Sequence, residues 1–578
     1  MKVTQGISLV KVADYLAQFL KDKNVTCVFE LSGGMITYLL DAISRIETIK
    51  IVSMHHEQSA AFAADGVGRT SGVPGVAMAT SGPGATNLLT GIGSCYFDSV
   101  PAIFITGQVN THETKGEKRI RQQGFQETDI VSMAKPITKL AISVTKAQDL
   151  PQILEEAFVL STSGRPGPVL IDIPMNFQRE SIEVPQQLQS QVKKNQNINY
   201  NNIYQEISKA KRPLIVAGRG VSAAKAEEAF RNMLHKINIP VCLTLLGLDL
   251  LDYENPNRIG FLGAYGNRWV NKAVGESDLL LVLGARLDIR QTGADTQFFQ
   301  NRKIIQVDCE SGEINNRIKG CSPIVEDLDI FIRTFSQFLA DKEPIVKSDW
   351  LNVIRENEEL YPDTNELKNV KRVHPNSFIK ALSLKLKTKF ITADVGSHQM
   401  WAAQSLRIKK GQKFLTSGGM GAMGYALPAA IGVTIGSGQP SLVIVGDGCM
   451  QLNIQELQTI VRNKLPVKIV VLNNESLGMI RQFQDSYFDS RYQSTVWGYS
   501  APDFSKVAQA YGIDSRQISS MDEVDQAIAW LSDENKLDQP QLLEVLVDPK
   551  ANAYPKIAFG RPLNEMEPEF KPKEVEST

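Results

Sequence analysis

Short apolar runs alternate along the chain with longer segments in which apolar residues recur at helical spacing. In the first third of the chain the apolar runs are 27–31, 51–54, 76–80 and 101–106, and helical patterns follow them. The same alternation resumes at Pro213 and again near His374. Strands that alternate with helices indicate parallel sheets with helices on both faces. We therefore predict an α/β fold with three doubly wound parallel-sheet domains.

The predicted domains are separated by segments in which the apolar pattern fades. We place an N-terminal domain at 1–183, a linker at 184–202, a central domain at 203–340, a linker at 341–372, a C-terminal domain at 373–560 and a mobile tail at 561–578. The first linker is dense in Gln, Asn and Lys, and the tail is rich in Glu, Pro and Lys. A chain of 578 residues fits this division, because one hydrophobic core rarely grows beyond about 250–300 residues.

Composition and charge argue against several classes of protein. An apolar content of 43% with 22% charged residues is typical of a soluble globular protein. A net charge of −1 provides no overall field to attract nucleic acid or an anionic membrane. The sequence has no transmembrane-length run and no secretory signal, so we expect a cytoplasmic protein. The six scattered cysteines lack C-x-x-C spacing, and we expect them to be reduced and mostly buried.

The most informative motif lies in the third predicted domain. An apolar run leads into Gly446-Asp447-Gly448, and the next apolar run ends at Asn474. Neighbouring parallel strands would bring the carboxylate and the amide to one edge of a sheet. Such oxygen ligands suit Mg²⁺, and the glycines permit close approach of a diphosphate. Gly-Asp-Gly alone is most often an ordinary turn, but the asparagine after the next strand makes the pattern much more specific.

Glu57 is the candidate for a second part of the same site. It lies where a predicted strand meets a helix rich in Ala and Gly, whose small residues permit close approach of another backbone. By itself such a carboxylate more often only stabilises the start of a helix. Beside a diphosphate motif it suggests thiamin chemistry, which needs a carboxylate at the aminopyrimidine ring to help move the proton of the thiazolium C2.

The chain resembles the catalytic subunit of acetohydroxyacid (acetolactate) synthase over about residues 8 to 565. The matching stretches are 56–58, 81–87, 107–109, 125–127, 284–288, 394–396, 398–403, 416–419 and 446–456. The resemblance implies a thiamin-binding fold with a central FAD-type domain. It also implies thiamin diphosphate, Mg²⁺ and a non-redox FAD as cofactors. The protein should be a homodimer or homotetramer, in which the Glu57 domain of one subunit faces the Asp447 domain of another.

The resemblance assigns roles to individual residues. Glu57 becomes the proton-relay carboxylate, and Asp447, Asn474 and the carbonyl of Ser476 become Mg²⁺ ligands. The thiamin diphosphate residues are Ser81, Gly82, Pro83, Val395, Gly396, His398, Gly421, Met423, Gly446, Gly448 and Cys449. The FAD residues are Gly218, Gly220, Thr244, Leu245, Gly263, Gly284, Arg286, Asp308 and Asp327.

The implied reaction is decarboxylation of pyruvate and transfer of the remaining two-carbon unit to a second carbonyl. Phe125 and Gln126 would border the reacting carbonyls, and Arg290 matches the arginine that holds the acceptor's carboxylate. Departures from the family cluster on this acceptor side. Phe483 replaces a tryptophan that favours 2-ketobutyrate, and Ile289 replaces an aspartate beside Arg290.

The stretch between Val109 and Phe125 is longer than in the family by about half a dozen residues, and it is basic. It is either a solvated surface loop or a loop that grips an anionic or larger acceptor. Two enzymatic hypotheses therefore stand: acetolactate synthesis from two pyruvates, or the same donor chemistry with another ketone such as a nucleotide-linked keto-sugar. A non-catalytic scaffold is disfavoured, because Glu57, Asp447 and Asn474 are all present.

Overall fold

Three six-stranded sheets form the framework of the computed structural model, which describes residues 9–183 and 198–573. The predicted three-domain α/β fold is confirmed. The predicted linker at 184–202 and the tail at 561–578 lie partly outside the described residues. By its contacts the described chain forms two compact units. The first takes its residues from Met1–Lys193, Ser417–Ser441 and Asn453–Val467, and the second from Lys194–Thr416, Leu442–Leu452 and Lys468–Thr578.

The first unit is built on a parallel sheet. Its central strands are rich in Val, Ile and Ala, because helices cover both faces of the sheet. From edge to edge its strands are Lys50–Ser53, Cys27–Leu31, Gly75–Ala79, Ala102–Gln108, Pro168–Pro174 and Leu140–Ser143. A short antiparallel pair joins Leu9–Lys11 to Ser181–Glu183. The helices of this unit are Val12–Asp22, Thr37–Ser44, Glu57–Thr70, Pro83–Asn87, Leu89–Phe97, Ile130–Ala134, Leu150–Thr162, Met175–Arg179, Ala426–Ser437 and Glu456–Arg462.

Two helices of the first unit touch through their backbones. A Cβ built on Gly66 of the helix Glu57–Thr70 would lie 2.6 Å from the carbonyl oxygen of Ala429. A Cβ on Gly432 would lie 2.1 Å from the carbonyl oxygen of Ala63. Only glycine fits at such distances, so the predicted close approach of another backbone to this helix is confirmed.

The central sheet belongs to the second unit. Its parallel strands, edge to edge, are Arg258–Phe261, Val241–Leu243, Pro213–Ala217, Leu279–Leu283, Lys303–Asp308 and Ser322–Val325. Numbered along the chain this order is 3-2-1-4-5-6, the arrangement of dinucleotide-binding folds. The accompanying helices are Tyr200–Lys209, Arg219–Ala223, Glu227–Met233, Arg268–Glu276, Ile289–Thr292, Leu328–Leu339 and Ser348–Leu360.

The third sheet is the other framework of the second unit. Its strands, edge to edge, are Lys413–Thr416, Phe390–Ala393, Ser441–Gly446, Val467–Asn473, Gln541–Leu546 and Asp514–Ile518. The accompanying helices are Pro375–Lys385, Ser397–Ser405, Asp447–Leu452, Gly478–Tyr487, Phe504–Ala510 and Val524–Leu531. The strands before Asp447 and Asn474 are neighbours, as the sequence predicts.

Two segments are more ordered than the sequence suggests. The predicted linker at 341–372 contributes a short strand, Ile345–Val346, and a helix whose Trp350 is buried. The predicted mobile tail is wrong for its first residues. Lys556–Ile557 pairs with Met566–Glu567, the Met566 side chain is fully buried, and Arg268 donates to the Met566 carbonyl oxygen. The few apolar residues of the segment around Met566 are enough to pack it against the rest of the second unit.

Candidate active site

Three oxygen-bearing groups meet where two central strands of the third sheet end. Asp447 follows one strand, and Asn474 and Ser476 follow the next. The side-chain oxygen of Asn474 faces only acceptors. With the amide turned over, its nitrogen would lie 2.9 Å from the Ser476 carbonyl oxygen and 3.1 Å from Oδ1 of Asp447. Neighbouring ligands of octahedral Mg²⁺ lie about 3.0 Å apart, so a cation would hold the amide oxygen inward at this spacing. The donor set therefore fits the predicted metal.

Asp447 is buried, and its carboxylate accepts a hydrogen bond from a tyrosine as well as from nearby backbone amides. The hydroxyl of Tyr499 donates to Oδ2 of Asp447 at 2.8 Å. Burial raises the pKa of Asp447 to about 6, and the hydrogen bond from Tyr499 opposes that rise. A bound cation would favour the ionised carboxylate, because it attracts the charge that burial disfavours.

A glycine-lined crevice lies beside the oxygen groups, where the strand order of the third sheet reverses. The imidazole of His398 fills the space that a side chain at Gly446 would need, since a Cβ there would lie 2.6 Å from Nδ1 of His398. Burial lowers the pKa of His398 to about 3, so the ring is neutral. The buried hydroxyl of Ser397 has no partner among the described residues. A reversal point with glycines and an unused donor fits a diphosphate.

Cys449 and Val395 form the wall of the same crevice. The thiol of Cys449 donates to the Val395 carbonyl oxygen at 2.9 Å, and the Val395 amide donates to Asp394. Asp394, His398 and Cys449 bring possible metal-ligand atoms within 4.8 Å of one another. Because backbone hydrogen bonds already involve the sulfur and the carboxylate, we interpret the three as a shaped wall rather than a second metal site. Gly396, with φ 151°, and the half-buried Gly448 complete this set.

In the first unit, Glu57 is the first residue of a 14-residue helix and is 6% exposed. The amide of Asn87 donates to Oε2 of Glu57 at 2.9 Å. A Cβ on Gly84 would lie 3.2 Å from Oε1, so only a glycine leaves that oxygen free of crowding. The carboxylate is thus fixed in position and screened from water, as a proton-relay group requires.

The turn Ser81-Gly82-Pro83 lies next to Glu57 and contacts Gln126. Gly82 has φ 68°, and a Cβ on it would lie 2.9 Å from Cβ of Gln126. Gln126 itself has φ 65°, a left-handed conformation that costs a non-glycine residue about 1–2 kcal/mol. Strained residues of this kind persist where the surroundings hold them, often at functional sites. Its neighbour Phe125 is 80% exposed.

Glu127 holds the long loop before Phe125. Its Oε1 accepts the Lys115 amide at 2.6 Å, and its Oε2 accepts the Gln123 amide at 2.8 Å. Gln108 donates both to the Thr128 carbonyl oxygen at 2.8 Å and to the buried Asp172 carboxylate at 3.1 Å. These hydrogen bonds hold the loop that precedes Gln126 and the residues that follow it. The loop's tip, 117–123, is exposed, as both the surface-loop and the gripping interpretation require.

A buried ion cluster secures the glycine-rich segment that carries Gly421 and the half-buried Met423. Arg69 bonds Asp65 at 2.6 Å and Asp98 at 2.8 Å. Asp98 in turn accepts the backbone amides of Gly418 and Gly419. Paired and hydrogen-bonded in this way, the buried charges rigidly fix the start of the segment.

The central sheet has its own crevice at the point where its strand order reverses. A Cβ on Gly218 would lie 2.4 Å from the Gly284 carbonyl oxygen, and one on Gly220 would lie 2.5 Å from Cα of Gly284. The strand ends therefore approach closely, as in folds that place a dinucleotide at this edge. The structure brings Arg286 near as well, paired with Asp288 at 3.0 Å.

The other predicted FAD residues follow strand ends or a helix start of the same domain. Thr244 is buried and precedes the short helical turn Leu245–Gly247. Asp308 ends a strand and Asp327 caps the helix Leu328–Leu339. Gly263, with φ 137°, lies against the Arg290 backbone, where a Cβ would approach the carbonyl oxygen to 2.6 Å.

Arg290 is exposed and forms no ion pair with any residue the structure describes. Its guanidinium carbon lies 5.8 Å from the centroid of the Tyr265 ring. Phe483, which is 48% exposed, packs against Tyr487 with ring centroids 4.7 Å apart and ring planes tilted by 50°. An unpaired arginine beside aromatic rings can bind a carboxylate that carries a small apolar group.

Several contributing residues were not predicted from the sequence. Asn87 and Tyr499 each donate a hydrogen bond to a predicted residue, and Glu127 accepts two from the loop before Phe125. Tyr265 was also missed, because only tertiary packing brings it to Arg290. Asn87 had a recognisable signal: it belongs to the glycine turn at 81–87.

Comparisons with known proteins agree with the geometry. Residues 10–133, 200–335 and 394–545 match the thiamine pyrophosphate enzyme N-terminal TPP binding domain, central domain and C-terminal TPP binding domain. The probable acetolactate synthase large subunit of Methanocaldococcus jannaschii is 36% identical over 570 residues, 95% of this chain and 94% of that protein.

Two bacterial relatives match over a similar share of the chain. The acetolactate synthase large subunit of Lactococcus lactis is 34% identical and covers 98% of this chain and 96% of its own length. The acetolactate synthase isozyme 2 large subunit of Escherichia coli is 35% identical, with coverages of 96% and 98%. These relatives favour acetolactate chemistry over a nucleotide-linked acceptor. The chain belongs to the acetolactate synthase large-subunit family of thiamine pyrophosphate enzymes.

Proposed function

We propose that the protein decarboxylates pyruvate and joins the remaining two-carbon unit to a second 2-oxoacid, forming acetolactate when that acceptor is pyruvate. The observation that carries this proposal is the set of oxygens around Asp447 and Asn474, at the spacing of neighbouring magnesium ligands. Thiamin diphosphate, when bound, supplies a carbon nucleophile at its thiazolium ring that no side chain can provide.

The chain's own residues bind and orient the cofactor. Asp447, Asn474 and the Ser476 carbonyl would hold Mg²⁺. Gly446 admits the His398 ring beside it, Gly448 would lie against the phosphates, and the hydroxyl of Ser397 would donate to them. Met423 would support the bound cofactor.

Glu57 performs the proton transfer. Its carboxylate would exchange a proton with the aminopyrimidine of bound thiamin diphosphate, and Asn87 fixes the orientation of that carboxylate. Because the Glu57 side chain is only 6% exposed, little water can compete for this proton.

We also propose that the protein assembles at least as a dimer, in which the Glu57 domain of one subunit completes the site of another.

The acceptor is bound by the arginine without an ion-pair partner. Arg290 pairs with the acceptor's carboxylate, and Phe483 limits the space for its alkyl group. Phe125 and Gln126 border the reacting carbonyls. The strand ends of the central sheet that Gly218, Gly220 and Gly284 bring close together would hold FAD along their edge, where it would have a structural rather than a redox role.

The test is to incubate the purified protein with pyruvate, thiamin diphosphate and Mg²⁺. We expect CO₂ release together with acetolactate, which is measured as acetoin after acidification. The matched control is the isosteric Glu57→Gln variant, which should form neither product. No acetolactate from the unchanged protein, or full activity of the variant, would contradict the proposal.

A further inference from the structure

Tyr487, the last residue of the helix Gly478–Tyr487, has a buried hydroxyl with no hydrogen-bond partner in the described parts of the chain. Burying an unpaired hydroxyl destabilises a folded protein, because the group loses its hydrogen bonds to water. Most buried polar groups in folded proteins are paired, so each exception needs an explanation. A phenylalanine would fill the same space without this cost.

The surroundings of Tyr487 are aromatic. Phe483 lies one helical turn earlier, with ring centroids 4.7 Å apart. The exposed ring of Phe559 meets Tyr487 edge-on at 5.9 Å. Tyr487 therefore places a polar atom next to two further aromatic rings, and a few polar groups among apolar and aromatic side chains are typical of small-molecule sites.

Backbone hydrogen bonds connect this cluster to Arg290. The Ala264 amide donates to the Arg290 carbonyl oxygen at 2.7 Å, and the Ile557 amide donates to the Ala264 carbonyl oxygen at 2.8 Å. Lys556, next to Ile557, has its Nζ 5.9 Å from the centroid of the Tyr487 ring. Tyr487 is thus tied to the same region as the unpaired arginine.

Tyr265 adds a second connection. Burial raises the pKa of Tyr265 to about 12, and both Arg290 and Tyr487 are among the groups that act on it electrostatically. The guanidinium carbon of Arg290 lies 5.8 Å from the centroid of the Tyr265 ring, so Tyr265 packs directly against the arginine.

The cationic group next to Tyr487 is already paired. Nζ of Lys556 lies 3.2 Å from Oε1 of Glu567, and both side chains are largely buried. Burial raises the pKa of Tyr487 to about 12, so the phenol keeps its proton at neutral pH and remains a hydrogen-bond donor.

We propose that Tyr487 is a further acceptor-binding residue, whose hydroxyl donates a hydrogen bond to an oxygen of the 2-oxoacid that Arg290 binds by its carboxylate. The inference rests on the proposed function, because that function supplies the acceptor. A bound 2-oxoacid would give the hydroxyl the partner that the protein does not provide.

The test uses Tyr487→Phe in the full-length protein loaded with thiamin diphosphate and Mg²⁺. We expect acetolactate formation, as kcat/KM for pyruvate, to fall about ten- to hundredfold, the range for a lost hydrogen bond to a charged or reacting group. The first CO₂ released per site, measured by rapid quench, should keep its rate, because it precedes acceptor binding. The thermal midpoint without cofactors should stay equal or rise.

Tyr554→Phe is the matched control, since the Tyr554 hydroxyl already accepts a hydrogen bond from Asn552 at 3.1 Å. It should lower the thermal midpoint slightly and leave both rates unchanged. Unchanged acetolactate formation in Tyr487→Phe overturns the proposal, and so does an equal fall of CO₂ release and acetolactate formation. If the unchanged protein forms no acetolactate, the proposed function itself fails, which the wild-type assay shows before any variant is compared.

Discussion

The first and third sheets have the same strand order and different chemistry at their strand ends. Numbered along the chain, both sheets run 2-1-3-4-6-5 from edge to edge. In the first sheet the carboxylate Glu57 follows an edge strand and begins a long helix. In the third, Asp447 follows a central strand and begins a helix of six residues. The fold supplies positions, and the residues at the strand ends determine what each position does.

The partners of the two carboxylates differ in the same way. Glu57 has an amide donor and a glycine beside it, so its carboxylate is held in one position and stays uncrowded. Asp447 faces other oxygens, an arrangement that is favourable only around a cation or with the amide turned over. The two arrangements suit the proton transfer proposed for one domain and the metal binding proposed for the other. The comparison predicts that substitutions at the two carboxylates affect different steps.

The largest effect should follow from Glu57→Gln. We expect turnover to fall at least about a thousandfold, because the amide cannot exchange the proton that general acid–base catalysis needs. The affinity for thiamin diphosphate should change little, since the proposed diphosphate site lies in the domain of Asp447. Steady-state turnover and cofactor titration of the apoprotein measure the two quantities. Loss of cofactor affinity equal to the loss of turnover would contradict the division of roles.

Asp447→Asn should have the complementary result. We expect the affinity for Mg²⁺ and thiamin diphosphate to fall at least about a hundredfold, because a neutral amide replaces a charged ligand. At saturating cofactor and metal, part of the turnover should return, which it should not do in Glu57→Gln. Titration with Mg²⁺ at fixed thiamin diphosphate, followed by an activity assay, checks this. Tight cofactor binding by the variant would mean that Asp447 is not the metal ligand.

Glu127→Gln tests the long loop of the first domain, which the Glu127 carboxylate holds in place. The variant replaces an acceptor with a donor that faces the Lys115 or Gln123 amide. We expect kcat/KM for pyruvate to fall about five- to tenfold, because Gln126 would lose part of its support. Faster hydrogen exchange at the two amides should accompany the fall.

The control for the loop is Glu113→Gln. Glu113 accepts the Asn110 amide at 3.0 Å at the other end of the same loop and has a similar half-buried side chain. It should loosen that end and leave kcat/KM nearly unchanged. Equal effects of the two variants would show that loop order in general, rather than support of Gln126, matters.

The sequence predicts the parts of this molecule that repeat a local pattern. Alternating strands and helices give all three sheets, and Asp447 with Asn474 can be recognised because both directly follow buried strands. The packed segment around Met566 could not be predicted, since its few apolar residues fit only against a surface that exists after folding. The same reason hides Tyr487, whose unpaired hydroxyl is a property of its packed surroundings.

The smallest effect concerns stability, and it involves a carboxylate of the first domain with no chemical role. Burial raises the pKa of Asp172 to about 7, although Thr106, Gln108 and Ser143 bond to it. The folded protein therefore binds this proton more tightly than the unfolded chain, so the contribution of Asp172 is fully present below about pH 4 and is lost as pH rises toward 7. Asp172→Asn, which cannot ionise, should remove that dependence. As pH rises from 4 to 7, the thermal midpoint of the unchanged protein should fall relative to that of the variant. A constant difference between the two midpoints would show that Asp172 does not titrate in this range.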